Sequence, residues 1–260
     1  MWNINLEIQL TSLNKIDSQI DSILNNFESK NFFFHDANGI TISQDAVKKK
    51  VLMRDIGFDI CRIFNFSFAL YRNLEDKRRI SPGFINLITF SPSLRFRSYN
   101  SEDSESDVRK AWFEFIEIAD IMIRGFGDSI DIAFADDDNK VDDHFVLNND
   151  RPVPLNAMGA FTNQLWLMFY GWDRINLLGK DTVLNAPSYQ AKEYKNGILL
   201  LNNQAPSISG LISRPSSESF EPHTSGEIAS QVSAYFEEKI VSTPGWEEKW
   251  SLPKKTGKDW

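Results

Sequence analysis

Residues 101–150 read SEDSESDVRKAWFEFIEIADIMIRGFGDSIDIAFADDDNKVDDHFVLNND, and the predicted fold is built outward from this stretch. Ser104 and Asp107 fit the capping pattern of a helix that starts near Glu105. Isoleucines at positions 116, 118, 121 and 123 widen its apolar stripe, which predicts a central helix with a second layer packed on it. The stripe itself recurs at alternating steps of four and three, at Val108, Trp112, Phe115, Ala119, Met122 and Phe126.

A strand is predicted directly after this helix. Gly125 and Gly127 can adopt the positive φ angles that end a helix, and residues 129–135 (SIDIAFA) have the composition of a strand. The acidic run Asp136, Asp137 and Asp138 follows at once. The sequence therefore predicts a helix–strand unit with carboxylates at the end of the strand.

The negative charge of the chain is concentrated in the same stretch. Residues 101–150 hold fifteen Asp and Glu against four Lys and Arg, a net charge of −11. The whole chain carries −8, so the remaining residues sum to about +3. This imbalance predicts an acidic face on the helix–strand unit, with a solvated acidic loop as the alternative.

The predicted class is α+β, with a mixed, mainly antiparallel sheet packed with three or four helices in a single domain. The domain is predicted over residues 1–245, followed by a C-terminal tail over residues 246–260 that carries three tryptophans and one proline. For residues 154–172 the pattern favours a helix, although 166–170 alone also suits a buried strand. Other predicted strands are 4–10, 30–35, 39–43, 64–71, 84–89, 94–99 with a break at Ser91-Pro92, 142–147 and 197–201; other predicted helices are 14–28, 46–53 and one opening at Thr224.

Composition argues against a secreted protein, a membrane-spanning protein and a protein held together by cysteine chemistry. The N-terminus has no basic region followed by an apolar run, and no window approaches eighteen apolar residues, so we expect neither a signal peptide nor a membrane partner. The single cysteine, Cys61, leaves no intrachain disulfide and no thiolate metal cluster. A cytoplasmic location and no cofactor are the expectations that follow.

The acidic stretch contains residue types that could bind a metal. A calcium loop is not predicted, because the run after Asp136 lacks the required glycine and glutamate. A second pattern, Asp128 or Asp131 followed by Asp138-Asn139-Lys140, has the residue types of a magnesium-dependent nuclease, although its Asp-x-Lys lies beyond the apolar strand. A metal-dependent nuclease or phosphohydrolase is therefore the alternative function, while the main hypothesis contains no catalytic residue and no metal ligand.

Three short stretches carry a resemblance to a known family: TFSPSLRFRSYN at 89–100, VDDHF at 141–145 and RPVPL at 151–155. Together with the acidic balance, they resemble bacterial immunity proteins of polymorphic and type VI secretion toxin systems, of the kind paired with restriction-endonuclease-like toxins. The resemblance covers about residues 1–245. It implies a non-enzymatic protein that binds a cognate toxin in the cytoplasm, and it makes Trp112 and Glu114 candidates for the family's characteristic Trp and Glu.

The predicted partner is a basic nuclease domain rather than nucleic acid itself. A nuclease needs a basic groove for its substrate, and a dense carboxylate surface would compete for that groove and accelerate association. An adaptor with a different basic partner is a third possibility. The predicted partner-binding residues are Glu102, Asp103, Asp136, Asp137, Asp138, Asp142 and Asp143.

Overall fold

The computed structural model describes residues 3–10, 15–36, 38–53, 58–63, 65–72, 90–97, 105–137, 161–162, 164–204 and 223–246, in which ten strands form one sheet. The order across the sheet is β3-β2-β4-β5-β6-β1-β7-β8-β10-β9, and each described pairing is antiparallel. The strands are β1 (Asn3–Leu10), β2 (Phe33–His35), β3 (Thr41–Ile42), β4 (Phe58–Cys61), β5 (Asn65–Arg72), β6 (Phe90–Arg97), β7 (Ile130–Asp137), β8 (Leu167–Gly171), β9 (Gln190–Tyr194) and β10 (Gly197–Leu201).

Helices accompany this sheet, which confirms the predicted single-domain α+β class. They are α1 (Ile16–Ser29), α2 (Gln44–Met53), α3 (Glu105–Phe126), α4 (Trp172–Leu178), α5 (Lys180–Leu184) and α6 (His223–Val241). The central helix α3 begins at Glu105, as its capping pattern predicts, and a 3-10 turn at Gly127–Ser129 joins it to β7. Within the described residues, no helix is both long and apolar enough to cross a membrane.

The N-terminal strand lies in the middle of the sheet. Leu6 stands opposite Leu94 of β6 on one side and Ala135 of β7 on the other. Leu6, Ile8 and Leu10 are fully buried, as their alternation with polar residues predicts. Because β6 and β7 are both antiparallel to β1, they run parallel to each other, and α3 lies in the connection between them.

Helices cover both faces of the sheet at β7, β8 and β10. Alternate residues of β10 belong to different core clusters: Leu199 packs in the cluster of α1 and α3, whereas Leu200 packs in the cluster of α4, α5 and α6. The same alternation separates Phe169 from Met168 on β8. A strand buried on both faces has no polar side, which explains why GILLL at 197–201 is apolar throughout.

The structure corrects two predictions. The favoured helix over residues 154–172 is wrong at Leu167–Gly171, which form the strand β8 with every residue buried. The break predicted at Pro92 is also wrong, because β6 runs through it. Among the described pairings, that of β6 with β1 ends at Ser93 and Pro92 is paired with Leu70 of β5, so its missing N–H costs less than it would between two paired strands.

Some predicted elements fall outside the described residues, namely the strands at 84–89 and 142–147. Of the predicted tail, the structure describes Trp246, which is partly buried and packs against the cluster of α4, α5 and α6. This contact joins the start of the tail to the core of the domain.

Candidate functional site

The turn between α3 and β7 brings the middle of the helix beside the end of the strand. A tight turn at Gly127–Ser129 joins the two elements, so the helix runs back along the strand. Two contacts join the middle of α3 to the end of β7: the rings of Phe115 and Trp166 lie 6.0 Å apart, and the backbone N–H of Trp166 donates to Asp136 at 3.0 Å. In the sequence, acidic runs precede Glu105 and follow Asp136, and we call these two runs together the acidic end.

Asp136 itself does not belong to an exposed surface. It is 3% exposed, and its carboxylate accepts the hydrogen bond from Trp166. The strand β7 continues to Asp137, beyond its predicted end, so Asp136 lies on a strand flanked by β8 rather than in a solvated loop. This corrects its assignment as a partner-binding residue. Asp137 is the last residue of β7, and the other predicted binding residues, Glu102, Asp103, Asp138, Asp142 and Asp143, lie outside the described residues.

Asp131, an acid of the alternative nuclease hypothesis, forms a buried ion pair. Arg174 of α4 donates from Nε to Oδ1 at 2.8 Å and from Nη2 to Oδ2 at 2.5 Å. The side chains are 6% exposed for Arg174 and 0% for Asp131, so this bidentate pair lies inside the protein. Both oxygens of Asp131 thereby accept hydrogen bonds from Arg174. Asp128, the alternative to Asp131 in that pattern, is exposed in the turn before β7.

Glu114 and Glu117 of α3 lie beside cations from other elements. Arg62 donates to Glu117 at 2.6 Å and places its Nε 3.7 Å from Glu114, while its guanidinium stacks 4.2 Å from the ring of Phe32. Lys30 contacts Glu117 at 3.0 Å. Burial alone would raise the pKa of Glu117, but the hydrogen bonds from Lys30 and Arg62 outweigh it and lower that pKa.

Asp120, one turn further along α3, is the centre of a second cluster. It accepts from the hydroxyl of Tyr194 at 2.5 Å, from Arg124 at 2.8 Å and from Lys192 at 3.1 Å. Burial would raise the pKa of Asp120, but these three hydrogen bonds lower it below the ordinary value. The cluster attaches α3 to the edge strand β9.

These contacts change the distribution of exposed charge expected for α3. The carboxylates of Glu117 and Asp120 are 30% and 19% exposed, whereas Lys30, Arg124 and Lys192 are 40%, 58% and 44% exposed. In each of these pairs on the described side of α3, the cation is more exposed than the carboxylate it contacts. The acids here are paired with Lys30 and Lys192 from other parts of the chain and with Arg124 of α3 itself.

A groove runs between α3 and the last two strands of the sheet order. Its volume is about 280 Å³, and its apolar lining is Phe113, Ile116, Tyr194, Leu199 and Leu201. Phe113 is 73% exposed, the most exposed large apolar side chain among the described residues. The sequence contained a signal for it, because Phe113 interrupts the polar side of the helix formed by Lys110, Glu117 and Arg124.

The remaining candidates for chemistry lie in the core. Cys61 is buried with its Sγ 3.5 Å from Nδ1 of His35, and burial raises the pKa of the thiol to about 11, so it stays protonated at neutral pH. Trp112 and Glu114, the candidates from the family resemblance, are 5% and 2% exposed. Within the described residues, no group of three or more His, Cys, Asp or Glu is placed to hold a metal ion.

Replacing Asp120 with Asn is expected to lower the free energy of unfolding at pH 7 by about 1–2 kcal/mol, because charge-assisted hydrogen bonds are lost. A carboxylate with a lowered pKa contributes stability above its ordinary pKa of 3.8 and loses it as pH falls through the folded-state value. Urea unfolding between pH 7 and pH 2 should therefore show the variant and the wild type converging in acid. A difference that persists at pH 2 would contradict the role of the charge.

Comparison of the sequence with models of known protein families and with curated proteins finds no match.

Proposed function

We propose that this chain is a non-enzymatic immunity protein that binds and neutralises a basic toxin domain of the nuclease type in the cytoplasm. The supporting observation is the α3–β7 arrangement, in which the helix runs back along the strand and Phe115 lies beside Trp166, the residue that donates to Asp136. Residues 101–104 lead directly into α3, and Asp138, Asp142 and Asp143 follow β7. A basic partner would meet both runs at once.

Electrostatic attraction is the physical reason for assigning this role to the acidic end. Opposite charges on two proteins increase the rate of their encounter, and added salt screens that effect. Glu114, Glu117, Asp120 and Asp131 lie beside cations of this chain and contribute less to such attraction. The attraction is therefore assigned to Glu102, Asp103, Asp137, Asp138, Asp142 and Asp143, whereas Asp136 fixes the end of β7 against β8.

Binding rather than catalysis is favoured by the state of the described acids. Of the two acids that the alternative nuclease could use, Asp131 is buried and already held through both oxygens by Arg174, which leaves only the exposed Asp128 of the turn before β7. Opening that site would require the ion pair to separate inside the core, which is costly. A binding protein needs no such rearrangement.

The test uses a candidate toxin domain of the nuclease type, with purified chain and stopped-flow measurement of association. Changing Asp137, Asp138, Asp142 and Asp143 together to Asn should slow association about tenfold at low salt, and the wild-type rate should fall as salt is added. The nuclease should lose its activity when the wild-type chain is bound.

The matched control removes four exposed acids elsewhere, Asp45, Asp173, Asp181 and Glu237, by conversion to the corresponding amides. It changes the net charge by the same amount and should slow association much less. Equal effects of the two sets, or an association rate that is independent of salt, would contradict the acidic end as the binding surface. Cleavage of DNA by the purified chain with Mg²⁺ would favour the alternative enzyme.

A further inference from the structure

We infer that the groove between α3 and the strands β9 and β10 is a second binding surface, which takes an acidic segment of a partner protein with Phe113 as its apolar anchor. The surface lies on the outer side of α3, and the inference does not depend on the function proposed for the acidic end. Its occupant differs in charge from the basic partner proposed above.

The shape of the groove suits one or two inserted side chains. Ile116, Leu199 and Leu201 line it, and Phe113 lies beside them with most of its ring in water. Exposed aromatic rings are frequent centres of protein interfaces, because their burial removes a large apolar area from water. A volume of about 280 Å³ is slightly below the range of about 300–1,000 Å³ that is typical of small-molecule sites.

The charges around the groove select an acidic occupant. Lys192 and Arg124 lie at the end of the groove next to Asp120, and Lys30 lies beside Glu117. In each of these pairs the cation is more exposed than the carboxylate. Carboxylates arriving from solvent would therefore meet ammonium and guanidinium groups first, while the acids beneath hold those groups in place.

The wall of the groove formed by β9 is held in position before binding. Tyr194 donates to Asp120, and Lys192 and Arg124 lie 4.6 Å and 5.1 Å from the centre of its ring. These contacts hold Lys192 of the edge strand β9 and Arg124 of α3 in fixed positions relative to each other. Groups that are already ordered lose less entropy when a partner binds.

A nucleic acid fits this surface less well than an acidic peptide. The carboxylates of Glu117 and Asp120 line the groove itself, and their lowered pKa values keep them charged at neutral pH. A continuous phosphate backbone would pass close to both. A peptide can instead place an apolar side chain between Glu117 and Asp120. Its own carboxylates can then lie beside the more exposed Lys30, Arg124 and Lys192.

The test is fluorescence anisotropy with three labelled synthetic peptides and the full chain. One peptide carries Leu-Phe between two runs of Glu, the second carries Ala-Ala between the same runs, and the third carries Leu-Phe between runs of Lys. The first should bind at least about tenfold more tightly than either of the others. Phe113→Ala should weaken its binding about tenfold, and Lys192→Gln should weaken it and reduce its salt dependence.

Ile40→Ala provides the matched control, because Ile40 is 62% exposed in the loop between β2 and β3. It should leave binding of the first peptide unchanged, and circular dichroism should show native spectra for all variants. Tighter binding of the lysine peptide, or binding unaffected by Phe113→Ala, would overturn the inference. So would absence of binding by all three peptides.

Two other occupants are outcomes of the same experiment. Tighter binding of a labelled single-stranded oligonucleotide in place of the acidic peptide would assign the groove to nucleic acid. Self-association in sedimentation that Phe113→Ala abolishes would assign it to a second copy of the chain. Either result would overturn the acidic partner, and both are independent of whether the acidic end neutralises a toxin.

Discussion

Replacing Asp131 with Ala is expected to lower the free energy of unfolding by about 3–5 kcal/mol, because it leaves the charge of Arg174 buried without its counter-ion. Both partners lie in the interior, where water cannot replace the two lost hydrogen bonds. Equilibrium unfolding in urea, followed by tryptophan fluorescence, measures this loss. The far-UV spectrum of the variant should show the same secondary structure below the transition.

Two further variants separate the ion pair from general damage to β7. Asp128→Ala removes the same side chain at an exposed position of the preceding turn and should change the stability by less than about 0.5 kcal/mol. The double variant Asp131→Leu with Arg174→Met removes both charges and should recover most of the loss. If the double variant is as unstable as Asp131→Ala, the uncompensated charge is not the cause.

Gly125→Ala is expected to destabilise the protein by about 1–3 kcal/mol, because α1 and α3 approach too closely to admit a methyl group. A Cβ atom built on Gly125 would lie 2.1 Å from Cγ1 of Ile23, well inside the contact distance of two carbon atoms. Relief would require the helices to separate or Ile23 to change its rotamer. The melting temperature and the urea midpoint should both fall.

A double-mutant cycle tests that cause. Ile23→Ala alone should cost about 2–5 kcal/mol, since Ile23 is 5% exposed in the core. In that background the added methyl group has room, and alanine is the better helix former, so Gly125→Ala should be neutral or stabilising. Equal effects of Gly125→Ala in the two backgrounds would show that the helix crossing is not the origin of the loss.

The helices and the one-sided strands were predictable because each shows its own period. The stripe from Trp112 to Phe126 and the alternation from Leu6 to Leu10 correspond to faces that pack on one partner only. The strand β8 was not predictable in this way, because burial on both faces removes the alternation and leaves a short apolar run that suits either structure. Backbone pairing with β7 and β10 determines that this run forms a strand.

The distribution of charge could not be predicted from local composition. Counting residues 101–150 correctly gives a net negative stretch, but Arg62, Arg174 and Lys192 lie far away in the sequence and come to its acids only in the fold. Pairing of this kind depends on long-range topology, which periodicity does not contain. The cluster around Asp120 could not be predicted for the same reason, whereas the exposure of Phe113 had a local signal in the polar side of the helix that it interrupts.

The central position of β1 has a consequence for folding of the protein during its synthesis on the ribosome. The strand β1 is synthesised before β6 and before Ile130–Asp137, and both of its edges are paired only when these two strands are present. Until then an apolar strand with two open edges is available to other chains, and pairing over such long sequence separations is slow. We therefore expect nascent chains that contain β1 but not yet β7 to be especially prone to aggregation, and the yield of the protein to depend on chaperones that bind β1 during synthesis.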